Sequence, residues 1–210
     1  MVNVRVFFKK KGVIRYISHL DLQRAIIRAL LRSGLDVVYT NGFNPRPKIV
    51  FAQPLSVFHE SEYEIFDIKI NEDTPKEEVF KKLVSVMPKG IEVFSVNEPI
   101  LKLSDCNSAR YKLTFMTKKN ISDIERALCG EITVLKKTKS NQDYCDISPM
   151  ITDKIFYEQD KDVVLEATLS AGAEYLNPNY IAIFLKDNNL IDDYRVLRLC
   201  LLNKAGKPLK

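Results

Sequence analysis

Between Glu62 and Ile70 the chain reads Glu-Tyr-Glu-Ile-Phe-Asp-Ile-Lys-Ile, an almost strict alternation of polar and apolar residues. Successive side chains of an extended backbone point to opposite faces, so this run predicts a strand with one face in a core and one toward water. Such a strand needs neighbours in a sheet and a layer over its apolar face.

The flanking sequence supplies both. Val2, Val4 and Val6 alternate with Asn3 and Arg5, and Phe7 and Phe8 extend this first strand to the turn Lys9-Lys10-Lys11-Gly12. The lysine cluster reads as a solvated turn and as a candidate contact for a polyanion backbone. Ser18 with Asp21 three residues on forms a capping box. Leu22, Ala25, Ile26, Ala29, Leu30 and Ser33 then recur at spacings of three and four, and Gly34 stands where a C-terminal glycine cap belongs, which predicts a helix of about four turns. Val37–Tyr39 and Lys48–Ala52 read as extended segments. Thr74-Pro75 opens a second helix through Val79, Phe80, Leu83, Val84 and Met87, and Ile91, Val93, Ser95 and Val96 follow as a strand. Strand, helix, strand, strand, helix, strand is the ferredoxin-like βαββαβ order, an antiparallel sheet with two helices on one face.

Leu103 to Ser108 is polar and turn-rich, and the same order of elements recurs after it. Tyr111–Met116 reads as a strand, Ile121–Leu128 as a helix and Ile132–Leu135 as a strand. Lys154–Tyr157 and Val163–Leu169 read as a hairpin turning at Asp160-Lys161-Asp162. Pro178 starts a helix, Asp192–Leu202 is the last strand, and His59 reads as a plain turn residue. The expected fold is α+β, with one ferredoxin-like domain over residues 1–102 and a second over 109–210.

Charge sharpens the reading. Residues 1–60 hold ten Lys or Arg against three Asp or Glu, and the remainder holds 22 against 24, so the net charge of +5 belongs to the N-terminal part. That asymmetry fits a polyanionic partner. Arg24, Arg28 and Arg32 lie at i, i+4 and i+8 in the first helix, a single column at ~100° per residue, flanked by Ile27 and Leu31 and therefore expected to look into a groove. Like charges at this spacing repel, and Asp21 is the one nearby acid. The column reads either as a solvated helix edge with one Asp21–Arg24 pair or as a track for phosphates, which suit arginine's planar fork. In Asn41-Gly42-Phe43-Asn44-Pro45-Arg46-Pro47-Lys48 the prolines stiffen a basic loop. Phe43 beside Arg46 and Lys48 reads either as a surface on which a base stacks or as a core plug.

Common catalytic signatures are missing: no Walker loop, no GxGxxG, no His-Glu-x-x-His. Cys106, Cys129, Cys145 and Cys200 lack metal-ligand or redox spacing and read as thiols of a cytosolic protein. No metal or cofactor is expected. Without a signal-like start or a run of ~18 apolar residues, the chain is expected to be soluble and cytoplasmic. His19, near Ser18 and Asp21, reads either as a residue acting on a ribose hydroxyl or phosphate or as one that packs on its helix terminus.

Arg15-Tyr16-x-Ser18-His19-Leu20-Asp21-Leu22-x-Arg24, then Arg28, Arg32-Ser33-Gly34, Gly42-Phe43-Asn44-Pro45-Arg46-Pro47, Pro54-Leu55 and Ser61-Glu62-Tyr63 resemble the radical-SAM-linked domain family. Asp146-Ile147-x-Pro149 and Leu176-x-Pro178 extend the likeness. The departure is Phe58, which follows Val57 where that family has glycine. This bacterial family of unknown function occurs alone or joined to radical S-adenosylmethionine proteins, so the resemblance implies a radical enzyme as partner, bringing the cluster and S-adenosylmethionine. The tandem units are also similar in architecture to CRISPR RNA-processing endonucleases. The expectation is an RNA-binding accessory that presents a ribosomal or transfer RNA to that enzyme. Its contacts would be Arg15, His19, Arg24, Arg28, Arg32, Phe43, Asn44, Arg46 and Lys48. A metal-independent endoribonuclease using His19 and a protein-interaction module docking on the radical enzyme are the alternatives.

Overall fold

The computed structural model describes residues 1–71, 74–137 and 142–210. Its contacts divide the chain into two compact units, Met1–Cys106 with Cys200–Lys210, and Asn107–Leu199. Both are α+β, and the sheet is mostly antiparallel.

The first unit runs β1 (Val2–Lys10), α1 (His19–Arg32), β2 (Ile49–Phe51), β3 (Glu60–Ile70), α2 (Lys76–Val86) and β4 (Ile91–Asn97). The strands lie in the order β4-β1-β3-β2. Pairing Val4 with Ile68 and Val6 with Phe66 puts the apolar residues of both strands on one face. There they meet Leu22, Ile26 and Leu30 of α1 and Val79 and Leu83 of α2. Along β4 the apolar positions Ile91, Val93 and Val96 break strict alternation. A bulge in β4, where Phe94 is the extra residue opposite the step from Phe7 to Phe8 of β1, restores the phase, so Val96 and not Ser95 joins this core. The other face presents Asn3, Arg5 and Phe7 from β1 and Tyr63, Asp67 and Lys69 from β3.

The second unit runs β5 (Cys106–Met116), α3 (Ile121–Cys129), β6 (Thr133–Lys137), β7 (Gln142–Asp146), β8 (Ile151–Gln159), β9 (Asp162–Ser170), α4 (Asn179–Asp187) and β10 (Asp193–Asn203), whose residues from 200 on belong to the first unit. The strand order is β10-β5-β9-β8. Tyr111, Leu113 and Phe115 of β5 are buried, as are Ile124 and Leu128 of α3 and Ile181 and Leu185 of α4. The β8–β9 hairpin turns through Asp160 and Lys161, both at positive φ.

The structure revises the sequence reading at several points. The segment expected as a sheet strand at Ile132–Leu135 is β6, which pairs with β7 in a separate two-stranded sheet. Asp146 closes that hairpin. Its Oδ1 accepts the N–H groups of Ile132 and Ser148 at 3.0 and 2.9 Å, and these bonds and the Ser148 hydroxyl hold the carboxyl below the usual carboxylate range. The turn-rich stretch expected over 103–108 is already strand β5 from Cys106. Residues 200–210, assigned by sequence to the second half, belong to the first unit. There Tyr63 Oη donates to the carbonyl of Leu209 at 3.0 Å, and Leu101 N and Arg5 Nη1 donate to that of Lys210. The lysine turn is not simply solvated. Lys9 and Lys11 pair with Glu62, and Lys10 is buried.

Candidate nucleic-acid interface

Helix α1 starts as its cap dictates. Ser18 Oγ accepts the Asp21 N–H at 3.1 Å and donates to Asp21 Oδ2 at 2.7 Å. That hydroxyl first, and then the Arg24 guanidinium, holds the Asp21 carboxyl below its usual range. Gly34, at φ +69°, follows the last turn in the left-handed region that a helix end needs. Arg24, Arg28 and Arg32 are all exposed, which corrects the expectation that they look into a groove: Leu31, expected to wall it, is itself 55% exposed. Arg24 Nη1 donates to Asp21 Oδ1 at 2.9 Å. Arg32 Nη2 donates to the carbonyl of Val86 at 3.0 Å, taking one of the open carbonyls in the last turn of α2. Arg28 stands between them on the solvent side.

At the start of α1, Arg15 Nη2 donates to Tyr16 Oη at 2.7 Å, and its guanidinium carbon lies 4.9 Å from the centre of that ring. Tyr16 meets Phe58 edge-on at 5.7 Å. Phe58 sits at φ +70°, and its N–H donates to the carbonyl of Arg15. This turn buries His59, which is only 2% exposed and so is not the plain turn residue expected. His19 packs edge-on against Phe51 of β2 at 5.3 Å, and its Nε2 is 2.9 Å from Gln23 Nε2. His19 thus joins α1 to β2 and leaves the arginine column to the exposed side.

The basic loop is the tip of a hairpin. Thr40 N–H donates to the Arg46 carbonyl, Lys48 N–H to that of Val38, and Tyr39 bridges Pro47. Arg46 N–H also donates to Thr40 Oγ1 at 3.0 Å. Gly42, at φ +126°, makes the turn with a backbone conformation that L side chains rarely adopt. Pro47 is buried, while Asn44, Arg46 and Lys48 are exposed. Phe43 is fully exposed at 106%, so it plugs no core.

Sequence reasoning named no site on the sheet face turned away from α1 and α2. A pocket of about 610 Å³ lies there, floored by Arg5 and Asp67 and reached by Lys48, Lys69 and Lys102. Beside it Phe7, Tyr63 and Phe94 form an aromatic cluster with centroids 5.4 to 6.1 Å apart. Burial pushes the Tyr63 hydroxyl up to about 12, which keeps it a donor at neutral pH. The signal available in sequence was the alternation itself, which puts Arg5, Asp67 and Lys69 off the core face.

Residues 3–178 match the family described as "Uncharacterized protein conserved in bacteria (DUF2344)". The chain belongs to that family. No curated protein matches it. Among solved structures, it is similar to the acetolactate synthase small subunit of Thermotoga maritima. The two share 11% identity over 96% of each chain, at a TM-score of 0.27 that bears on neither fold nor function. No helix among the described residues is long and apolar enough to cross a membrane.

Proposed function

We propose that this protein is a cytoplasmic RNA-binding accessory, built from two ferredoxin-like units, that presents a structured RNA to a radical S-adenosylmethionine enzyme. The observation that carries the RNA reading is Phe43. Its ring stands wholly in water at the tip of a hairpin pinned by backbone pairing, with Asn44, Arg46 and Lys48 exposed beside it. A fixed aromatic among cations suits a base stacked while its backbone is gripped. Arg28 extends the positive surface along α1, with Arg24 and Arg32 beside it. The strand orders β4-β1-β3-β2 and β10-β5-β9-β8 support the ferredoxin-like reading of both units. The radical enzyme is supported by the sequence resemblance and would itself carry the cluster and S-adenosylmethionine.

The test is binding of total cellular RNA at about 50 and 200 mM salt by the wild type and by an Arg24→Gln, Arg28→Gln, Arg32→Gln variant shown to be folded. Every phosphate that is no longer neutralised lowers the slope of log affinity against log salt by ~0.7–0.9, so the variant is expected to bind more weakly with a slope reduced by at least that much. Equal affinity and slope would assign the column to the fold or to a protein partner.

A further inference from the structure

The pocket on the open face of the first unit's sheet is the most built feature outside the candidate interface. Its volume, about 610 Å³, is that of a small-molecule site. At its floor Asp67 Oδ1 accepts from Arg5 Nε at 2.8 Å and Oδ2 from Arg5 Nη2 at 2.7 Å, while Arg5 Nη1 donates to the Lys210 carbonyl at 2.9 Å. Arg5 is entirely buried and Asp67 is 23% exposed, so the carboxylate edge still offers lone pairs to the pocket. Asn3 and Thr40 add side chains that both donate and accept. The walls are largely apolar, and two of them, Val50 and Ile100, are 59% and 78% exposed.

Charge decides the ligand class. Asp67 is neutralised by Arg5, and among the described residues no other acid lines the pocket to balance Lys48, Lys69 and Lys102. An occupant therefore needs an anion for the lysines, a flat apolar body for the walls, and an edge with N–H donors for Asp67. A fatty acid has the first two features and nothing for the floor. A nucleotide has all three. We infer that the pocket binds one nucleoside monophosphate unit, its base edge toward Asp67 and Asn3 and its phosphate on the lysines. A free nucleotide and an unstacked nucleotide of an RNA present the same chemistry, so the inference extends the RNA reading without depending on it.

The experiment titrates the full chain with the 5′-monophosphates of guanosine, adenosine, cytidine and uridine, with octanoate, and with an RNA carrying unpaired loops. Val50→Glu with Ile100→Glu, in a variant shown to be folded, adds two negative charges to the walls at exposed positions. Val84→Glu, at an exposed position on α2, is the control. At least one nucleotide is expected to bind with Kd below ~1 mM, at least tenfold more weakly in the double variant, and unchanged in the control. Nucleotide binding without RNA binding would support a free-nucleotide site and remove the RNA reading instead. RNA binding that the double variant leaves untouched, with no nucleotide bound, would overturn the pocket assignment and keep the RNA reading. Octanoate binding more tightly than every nucleotide would also overturn it.

Discussion

Phe58 holds a backbone conformation, φ +70°, that costs an L-residue roughly 1–2 kcal/mol. Its edge-on packing on Tyr16 returns about 0.5–1.5 kcal/mol, which offsets much of that strain. Glycine meets the same demand on the backbone without the ring. Phe58→Gly is therefore expected to stay within ~1 kcal/mol of the wild type, because relieved strain is balanced by the missing ring and by a freer unfolded chain. Phe58→Val keeps the strain, adds β-branching and removes the ring, and should destabilise by about 1–2 kcal/mol more than the glycine variant. Urea unfolding of the three proteins checks the order; equal midpoints for the valine and glycine variants would show that φ is not what this position selects. The arginines illustrate a second residue-scale point. Asp21 was visible in sequence as the partner of Arg24, but the partner of Arg32 is a main-chain carbonyl 54 positions away, which no side-chain pattern encodes.

At the scale of elements, α1 rests on its cap. Ser18→Ala removes the acceptor for the Asp21 N–H and should cost about 1 kcal/mol at neutral pH. The Ser18 hydroxyl also stabilises the Asp21 carboxylate, whose pKa is depressed in the fold. Stability from a depressed carboxylate is present above its unfolded value, near ~4, and fades as pH falls through the folded value. The substitution should thus cost more at pH 7 than at about pH 2, as denaturant midpoints at the two pH values would show; a larger loss in acid would contradict the linkage. This helix was legible because its caps and its period of 3.6 are local signals, and β3 was legible because its period is 2. The phase of β4 was not, since the extra residue that resets it, Phe94, is defined only by the register against β1. The separate β6–β7 hairpin was also hidden, because Ile132–Leu135 carries the same alternation in either sheet.

At the scale of the molecule, sequence could place segments but not their partners. Residues 200–210 join the first unit through main-chain carbonyls that accept from Arg5, Tyr63 and Leu101, groups distant in sequence and unmarked by any motif. The pocket assembles from β1, the hairpin, β3 and the segment 99–103, so its lysines look like scattered surface charge when read one at a time. The hairpin tip was legible as a basic, proline-stiffened loop, whereas the exposure of Phe43 became visible only in the folded chain. That ring is the centre of the functional account. The most direct measurement compares RNA binding by the wild type, Phe43→Ala and Phe43→Trp, each first shown to unfold within ~0.5 kcal/mol of the others, as a fully exposed position predicts. A stacked base is worth ~1–3 kcal/mol, so Phe43→Ala should weaken RNA binding by roughly 5- to 150-fold while Phe43→Trp retains it. Wild-type affinity in Phe43→Ala would contradict the account.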